Sequence, residues 1–237
     1  MLGRMCGRYA STLPAAAIAR LFHVTGPPPD IAPSWNIAPS QAAPVVRRHP
    51  ATGARHLDLL RWGFLPHWTR DARAARRPIN ARAETVATAP MWREAFARRR
   101  CLVPADAFYE WRAAPAPGVL DPGPPGKQPY AIARADGAPL ALGGLWDGWR
   151  GPDGEIVRSF AIVVTAANAT MAPIHERMPV ILEERDWPLW LGETENDATA
   201  LLRPAAEDVL RVWPVSRAVN TPRNNGPALL APVGAGG

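Results

Sequence analysis

Residues 101–111 read CLVPADAFYEW: two apolar runs separated by a small polar break within eleven residues. β-branched and aromatic side chains at this density favour strands. Pro104 has no amide to give to a ladder, so it is the expected break in a strand pair. The same texture spreads outward in both directions. Upstream, PMWREAFARRR (90–100) spaces Trp92, Ala95 and Phe96 for a short helix with those three side chains inward. HLDLLRW (56–62) and SFAIVVTA (159–166) are further strand runs, the second apolar enough to be buried. Downstream, PAPGVLDPGPPGK (115–127) is a turn-rich excursion leading into the strand PYAIARA (129–135). Near the start, STLPAAAIARLFHV (11–24) places Ile18, Leu21 and Phe22 at helical spacing behind a Ser/Thr cap.

Strands outnumber helices and no βαβ rhythm runs through them. The pattern predicts an α+β chain: a single domain with a curved, largely antiparallel, barrel-like sheet flanked by short helices. The domain is expected over residues 5–230, with residues 1–4 as an extra leader and 231–237 as a flexible tail.

Composition narrows the function classes. The chain has 47% hydrophobic and 20% charged residues, a globular rather than disordered balance. No apolar run approaches the ~18 residues of a membrane span, so a soluble, cytoplasmic protein without membrane attachment is expected. Two cysteines, Cys6 and Cys101, make neither a disulfide framework nor a four-ligand metal set. The formal charge is +6, carried almost wholly by arginine; Lys127 is the single lysine. Arginine forks match phosphate oxygens. Codon bias would equally enrich arginine together with alanine, glycine and proline.

Four polar residues ask for a site. Cys6 follows Met5 in MLGRMCGRYA; initiation at Met5 with removal of that methionine would make it the first residue. Its α-amine, titrating near ~8, and its thiol would then form a pair suited to aldehydes. As an internal residue it would be an ordinary small hydrophobe, though Arg8 nearby favours thiolate. In PINARAET, strand alternation would put Asn80, Arg82 and Glu84 on one polar face. Glu110, between Tyr109 and Trp111, is placed for a raised pKa and general acid or base work. His175 in APIHERMPVIL titrates in the right range for proton transfer if the fold brings it to the cysteine.

Taken together, MCGRYA, WNIAPSQ, LRWGFLPHW, PINARAET, RRRCLVPADAFYEW, ALGGLWDGW, VVTAANATMAPIHERMPVIL and WPVSRAVN resemble, in order from residue 5 to about 225, the SOS-response-associated peptidase (SRAP) domain family. The resemblance implies a protein that senses abasic sites in single-stranded DNA. It implies that Cys6, as an N-terminal residue, forms a thiazolidine crosslink with the ring-opened sugar, shielding the strand from cleavage, its amine exposed by a start at Met5 and removal of that methionine or, alternatively, by autoproteolysis. It implies catalytic roles for Cys6, Asn80, Glu110 and His175. DNA contacts would fall on Arg8, Asn36, Pro39, Trp68, Arg82, Thr165 and Arg177, the last placing His175 or a phosphate. A monomer needing no metal or organic cofactor is expected. Three other readings compete. A terminal-cysteine amidohydrolase would carry an HRGPDG-like block, absent here. A thiol peptidase would use Cys6 with His175 as base. A non-covalent single-strand binder would hold intact and abasic strands alike.

Overall fold

The computed structural model describes residues 6–112, 126–195 and 197–233 of the chain. In chain order the strands are β1 (Tyr9–Ser11), β2 (Ser34–Ile37), β3 (Ala42–Arg48), β4 (Arg55–Trp62), β5 (Asn80–Arg82), β6 (Arg100–Ala105), β7 (Ala107–Arg112), β8 (Gln128–Arg134), β9 (Leu140–Arg150), β10 (Ile156–Ala166), β11 (Arg177–Pro179) and β12 (Leu210–Pro214). Among the described residues four short α-helices accompany them: α1 (Ala15–Leu21), α2 (Ala83–Val86), α3 (Arg93–Arg98) and α4 (Trp187–Leu191).

β10 organises the larger sheet. It pairs antiparallel with β9 from Ile156↔Arg150 to Ile162↔Gly144, and parallel with β4 at Ser159↔Arg61 and Phe160↔Trp62. Because β4, β3, β6 and β9 are linked in turn, this double pairing closes five strands into a mixed barrel. Past the end of β4, β10 takes two short partners, β5 in parallel and β11 antiparallel. A second, antiparallel sheet runs in the order β12-β8-β7-β1-β2.

Alternation along β10 explains the layering. Phe160, Ile162 and Val164 join a core with Val45, Leu60 and Trp62 of the barrel and Tyr9, Phe108 and Ile132 of the second sheet. Their neighbours Ala161 and Val163 face a separate core built from Ile18, Phe96, Trp187 and Trp190 of the helices. A period-2 strand thus serves two apolar layers at once.

Several local expectations change. Pro104 lies inside β6, opposite Ala141, and the break falls at Asp106. The ladder from β3 reaches only Cys101 and Leu102, so Pro104 lies beyond the neighbour its missing amide would have served. Asp106 instead accepts the Thr12 amide at 2.5 Å. The run PINARAET is not one strand: it switches to α2 after Arg82, which takes Glu84 off the Asn80–Arg82 face. Helix α1 starts behind Pro14 with no side-chain cap. The residues before the last four are tied down, with Val233 donating to the Pro214 carbonyl at 3.0 Å and Pro232 bridging Val215. The leader 1–4, most of the 115–127 excursion and the end of the tail lie outside the described residues. Among the described residues no helix is long and apolar enough to cross a membrane.

Candidate active site

Cys6 is fully buried where the chain enters β1, with φ of 39°, a left-handed conformation that disfavours a residue carrying a Cβ. Its backbone N–H donates to Oε1 of Glu110. Glu110 stands on β7 opposite Tyr130 and is only 3% exposed. Burial raises its carboxyl to about 7, against the pull of the Cys6 and Trp111 amides and the charge of Lys127. The Cys6 thiol is pushed well above the ordinary range, first by burial and then by the charge of Glu110.

The thiolate expected beside Arg8 is therefore not what this geometry favours. Arg8 is committed elsewhere, its Nη1 donating to Asn36 Oδ1 at 2.8 Å and to the Val219 carbonyl at 2.6 Å. Asn36 is buried, and its Nδ2 donates to the carbonyls of Thr221 (3.0 Å) and Asn224 (2.8 Å). Together these two side chains fasten the 219–224 segment against β2, so Asn36 has no free face to offer a nucleic acid.

The register of β5 places Asn80 opposite Ile162 and Arg82 opposite Val164. Both partners belong to the core that contains Cys6, so Asn80 and Arg82 share its side of the sheet. The foot of β5 also approaches the cysteine directly: a Cβ on Gly7 would lie 3.8 Å from Ile79 Cδ1. Thr165 is buried on β10, opposite Met178. His175 donates its amide to the Met171 carbonyl at 3.0 Å and accepts the Arg177 amide on Nδ1 at 3.1 Å. Met171 and Met178 pack in the same core as Cys6. The imidazole is half-buried, and its pKa is lowered first by burial, with Lys127 and Arg177 adding to the effect. Arg177 Nη1 donates to both carboxylate oxygens of Glu84, at 2.9 and 3.1 Å.

The charge of Lys127 lowers the pKa of Glu110 and of His175 alike. Sequence reading noted Lys127 only as the single lysine; the clue to its place was its position just ahead of the strand that pairs with the Glu110 strand. Pro39 and Trp68 stand outside the core around Cys6. Pro39 sits in the turn after β2, where Ser40 donates to the Trp62 carbonyl at 2.8 Å, and Trp68 is 53% exposed. Among the described residues no group of three or more His, Cys, Asp or Glu is assembled to hold a metal ion.

A family model described as SOS response associated peptidase (SRAP) matches residues 5–222. The chain belongs to the SRAP family. Its SRAP region thus runs from just before Cys6 through most of the segment held by Arg8 and Asn36. Among curated relatives it is 35% identical over 231 residues to the abasic site processing protein YoqW of Bacillus subtilis, covering 95% of this chain and 99% of that one. It is 30% identical to the abasic site processing protein HMCES of Xenopus tropicalis, covering 85% of this chain and 66% of that one. A crystal structure of a protein from Bacteroides thetaiotaomicron superposes with a TM-score of 0.82 at 22% identity, over 96% of this chain and all of that one, and so shares the SRAP fold.

Proposed function

We propose that this chain processes abasic sites in single-stranded DNA by forming a covalent thiazolidine crosslink through Cys6 as an N-terminal residue. The relatives named as abasic site processing proteins support the substrate class. The observation that carries the chemistry is the contact between the Cys6 nitrogen and the buried Glu110 carboxyl, whose pKa of about 7 suits proton traffic at neutral pH.

Hydrolysis of the Met5–Cys6 peptide bond consumes one water and leaves a free amine on Cys6. The amine, as ammonium, gives a proton to Glu110 and becomes the nucleophile. It adds to the C1 aldehyde of the ring-opened sugar, forming a carbinolamine. Glu110 returns the proton to the departing hydroxyl, which leaves as water, and a protonated imine remains. The Cys6 sulfur then adds to the imine carbon while its proton passes to nitrogen, closing the five-membered ring. An imine left open would acidify the sugar C2 protons and permit β-elimination; ring closure removes that route. In this reading Asn80 orients the amine and sugar, and His175 assists ring opening and the reverse reaction. Arg82, Arg177 and Thr165 engage the backbone, while Pro39 and Trp68 meet bases. Arg8 and Asn36 act from behind by shaping the cleft.

The test is Cys6→Ala against an abasic single strand, followed on a denaturing gel. Complete loss of the slow-migrating product, with binding of the intact strand kept within about threefold, is the expected result. A product that persists without the thiol would refute the assignment. Equal, purely non-covalent retention of intact and abasic strands by the unaltered protein would favour a simple binder.

A further inference from the structure

A cavity of about 570 Å³ opens where the tip of the β3–β4 hairpin meets the ends of α3 and α4. Its Leu191 wall belongs to the core beneath the helices, not to the one that holds Cys6. The lining carries Arg48, His49, Arg98 and Arg100 and no carboxylate. The chemistry proposed for Cys6 makes no use of it.

Two short helices end here, and their last carbonyls would repel an anion. Arg100 covers both ends. Its Nη1 donates to the Phe96 carbonyl at 2.5 Å and the Ala97 carbonyl at 3.3 Å, at the close of α3. Its Nε donates to the Trp190 carbonyl near the close of α4. Capping also accounts for one edge of Arg48, whose Nη1 donates to the Gly192 carbonyl at 2.7 Å and whose Nε donates to the Gly53 carbonyl at 3.2 Å. It does not account for the rest. Arg48 Nη2 has no acceptor among the described residues, and Arg98 is exposed in the last turn of α3. Glu94, one turn before Arg98, accepts from Arg99 instead, at 3.0 Å. His49 accepts the Ala51 and Thr52 amides on Nδ1 at 3.3 and 3.4 Å, which leaves the ring proton on Nε2 as a donor. His56 stacks on that ring, with centroids 4.6 Å apart.

The backbone keeps these donors uncovered. Gly53 and Gly192, both in the lining, take φ of 71° and 73°. A Cβ on Gly53 would lie 3.3 Å from Arg48 Nη2, and one on Gly192 would lie 3.2 Å from Arg100 Nη2. The neighbouring carboxylates are engaged: Arg55 forks onto Glu193 at 2.7 and 2.8 Å, and Asp197 accepts the Thr199 amide at 2.9 Å. A concave site with unmatched guanidiniums, no acid of its own and room beyond a single ion suits a phosphorylated molecule of nucleotide size.

We infer that this cavity binds the phosphate groups of a nucleotide or of a nucleic-acid strand through Arg48, Arg98 and His49, with Arg100 as the positioning residue that covers two helix ends. The site stands apart from the reaction proposed for Cys6 and does not depend on it.

Isothermal titration calorimetry of the full chain with ADP is the test, with adenosine as the phosphate-free probe. ADP should bind at one saturable site, and adenosine should not bind. Arg98→Gln and Arg48→Gln should each weaken ADP binding about tenfold, the loss of one charge-assisted hydrogen bond. Arg185→Gln removes the same charge outside the cavity and should leave binding unchanged. Because Arg98 is exposed, its replacement carries the test even if Arg48→Gln fails to fold. Absence of ADP binding, or equal weakening by all three variants or by none, would overturn the inference. Competition separates the two sources of phosphate. A short intact single strand that displaces ADP, and that binds less tightly to Arg98→Gln, assigns the cavity to a strand. A strand that binds while ADP stays bound assigns it to a free nucleotide.

Discussion

Glu110 hides a carboxyl from water at the point where β7 passes Cys6, and burial there costs the charged form more than two backbone amides return. The sign of the linkage follows. A carboxyl raised from 4.5 to about 7 keeps its proton in the folded state after the unfolded chain has lost it. Stability from this group is therefore fully present below about pH 4.5 and is lost as pH rises through about 7. Glu110→Gln removes the ionisation, so its stability relative to the unaltered chain should increase between pH 5 and pH 8, by on the order of 3 kcal/mol. Denaturant melts at both pH values would read this directly. A difference that stays constant with pH would mean that Glu110 is not the buried, proton-holding group described. Cys6, Asn80, Glu110 and His175 could be singled out in the sequence because each sits in a short motif of unusual chemistry, and the structure brings the first and third of them into contact. The true occupations of Arg8 and Asn36 were not legible, since they depend on carbonyls near 219–224, about two hundred residues away.

At the scale of elements, the barrel closes where β9 crosses β6 and β10. Gly144 sits at that crossing; a Cβ there would lie 2.9 Å from Cys101 Sγ and 3.2 Å from the Ala161 carbonyl. Gly148, on the same strand, has open space in the same direction. Gly144→Ala should therefore lower the unfolding free energy by roughly 1–3 kcal/mol, read as a lower denaturant midpoint at unchanged slope, as an overpacked core does. Gly148→Ala should leave the midpoint nearly unaltered. Equal effects at the two positions would contradict the tight crossing. The strands themselves could be read from apolar runs, and α3 from the spacing of Trp92, Ala95 and Phe96. What could not be read was how they close. Ring closure depends on β10 taking β9 on one edge and β4 on the other, and Gly144, which permits the close approach, looks in the sequence like any turn signal. The switch from β5 to α2 after Arg82 was equally hidden, because alternation continues in the letters after it has ended in the backbone.

Across the whole molecule, two sheets from distant parts of the chain pack on a shared core. The second sheet carries Glu110, with Cys6 just ahead of its strand β1; β5 and the end of β10 carry Asn80, Arg82 and Thr165, and His175 and Arg177 lie at the start of β11. In the function we propose, the left-handed Cys6 and the carboxyl on its nitrogen prepare this junction to become a chain end. Intact-mass spectrometry tests that claim most directly. The purified protein is weighed before and after incubation with a short abasic single strand, without reductant. The account predicts a starting mass with Cys6 as first residue, then a gain of one DNA strand less one water that survives denaturation. A protein that begins at Cys6 yet gains no mass, or gains it equally as Cys6→Ala begun at the same residue, would contradict it.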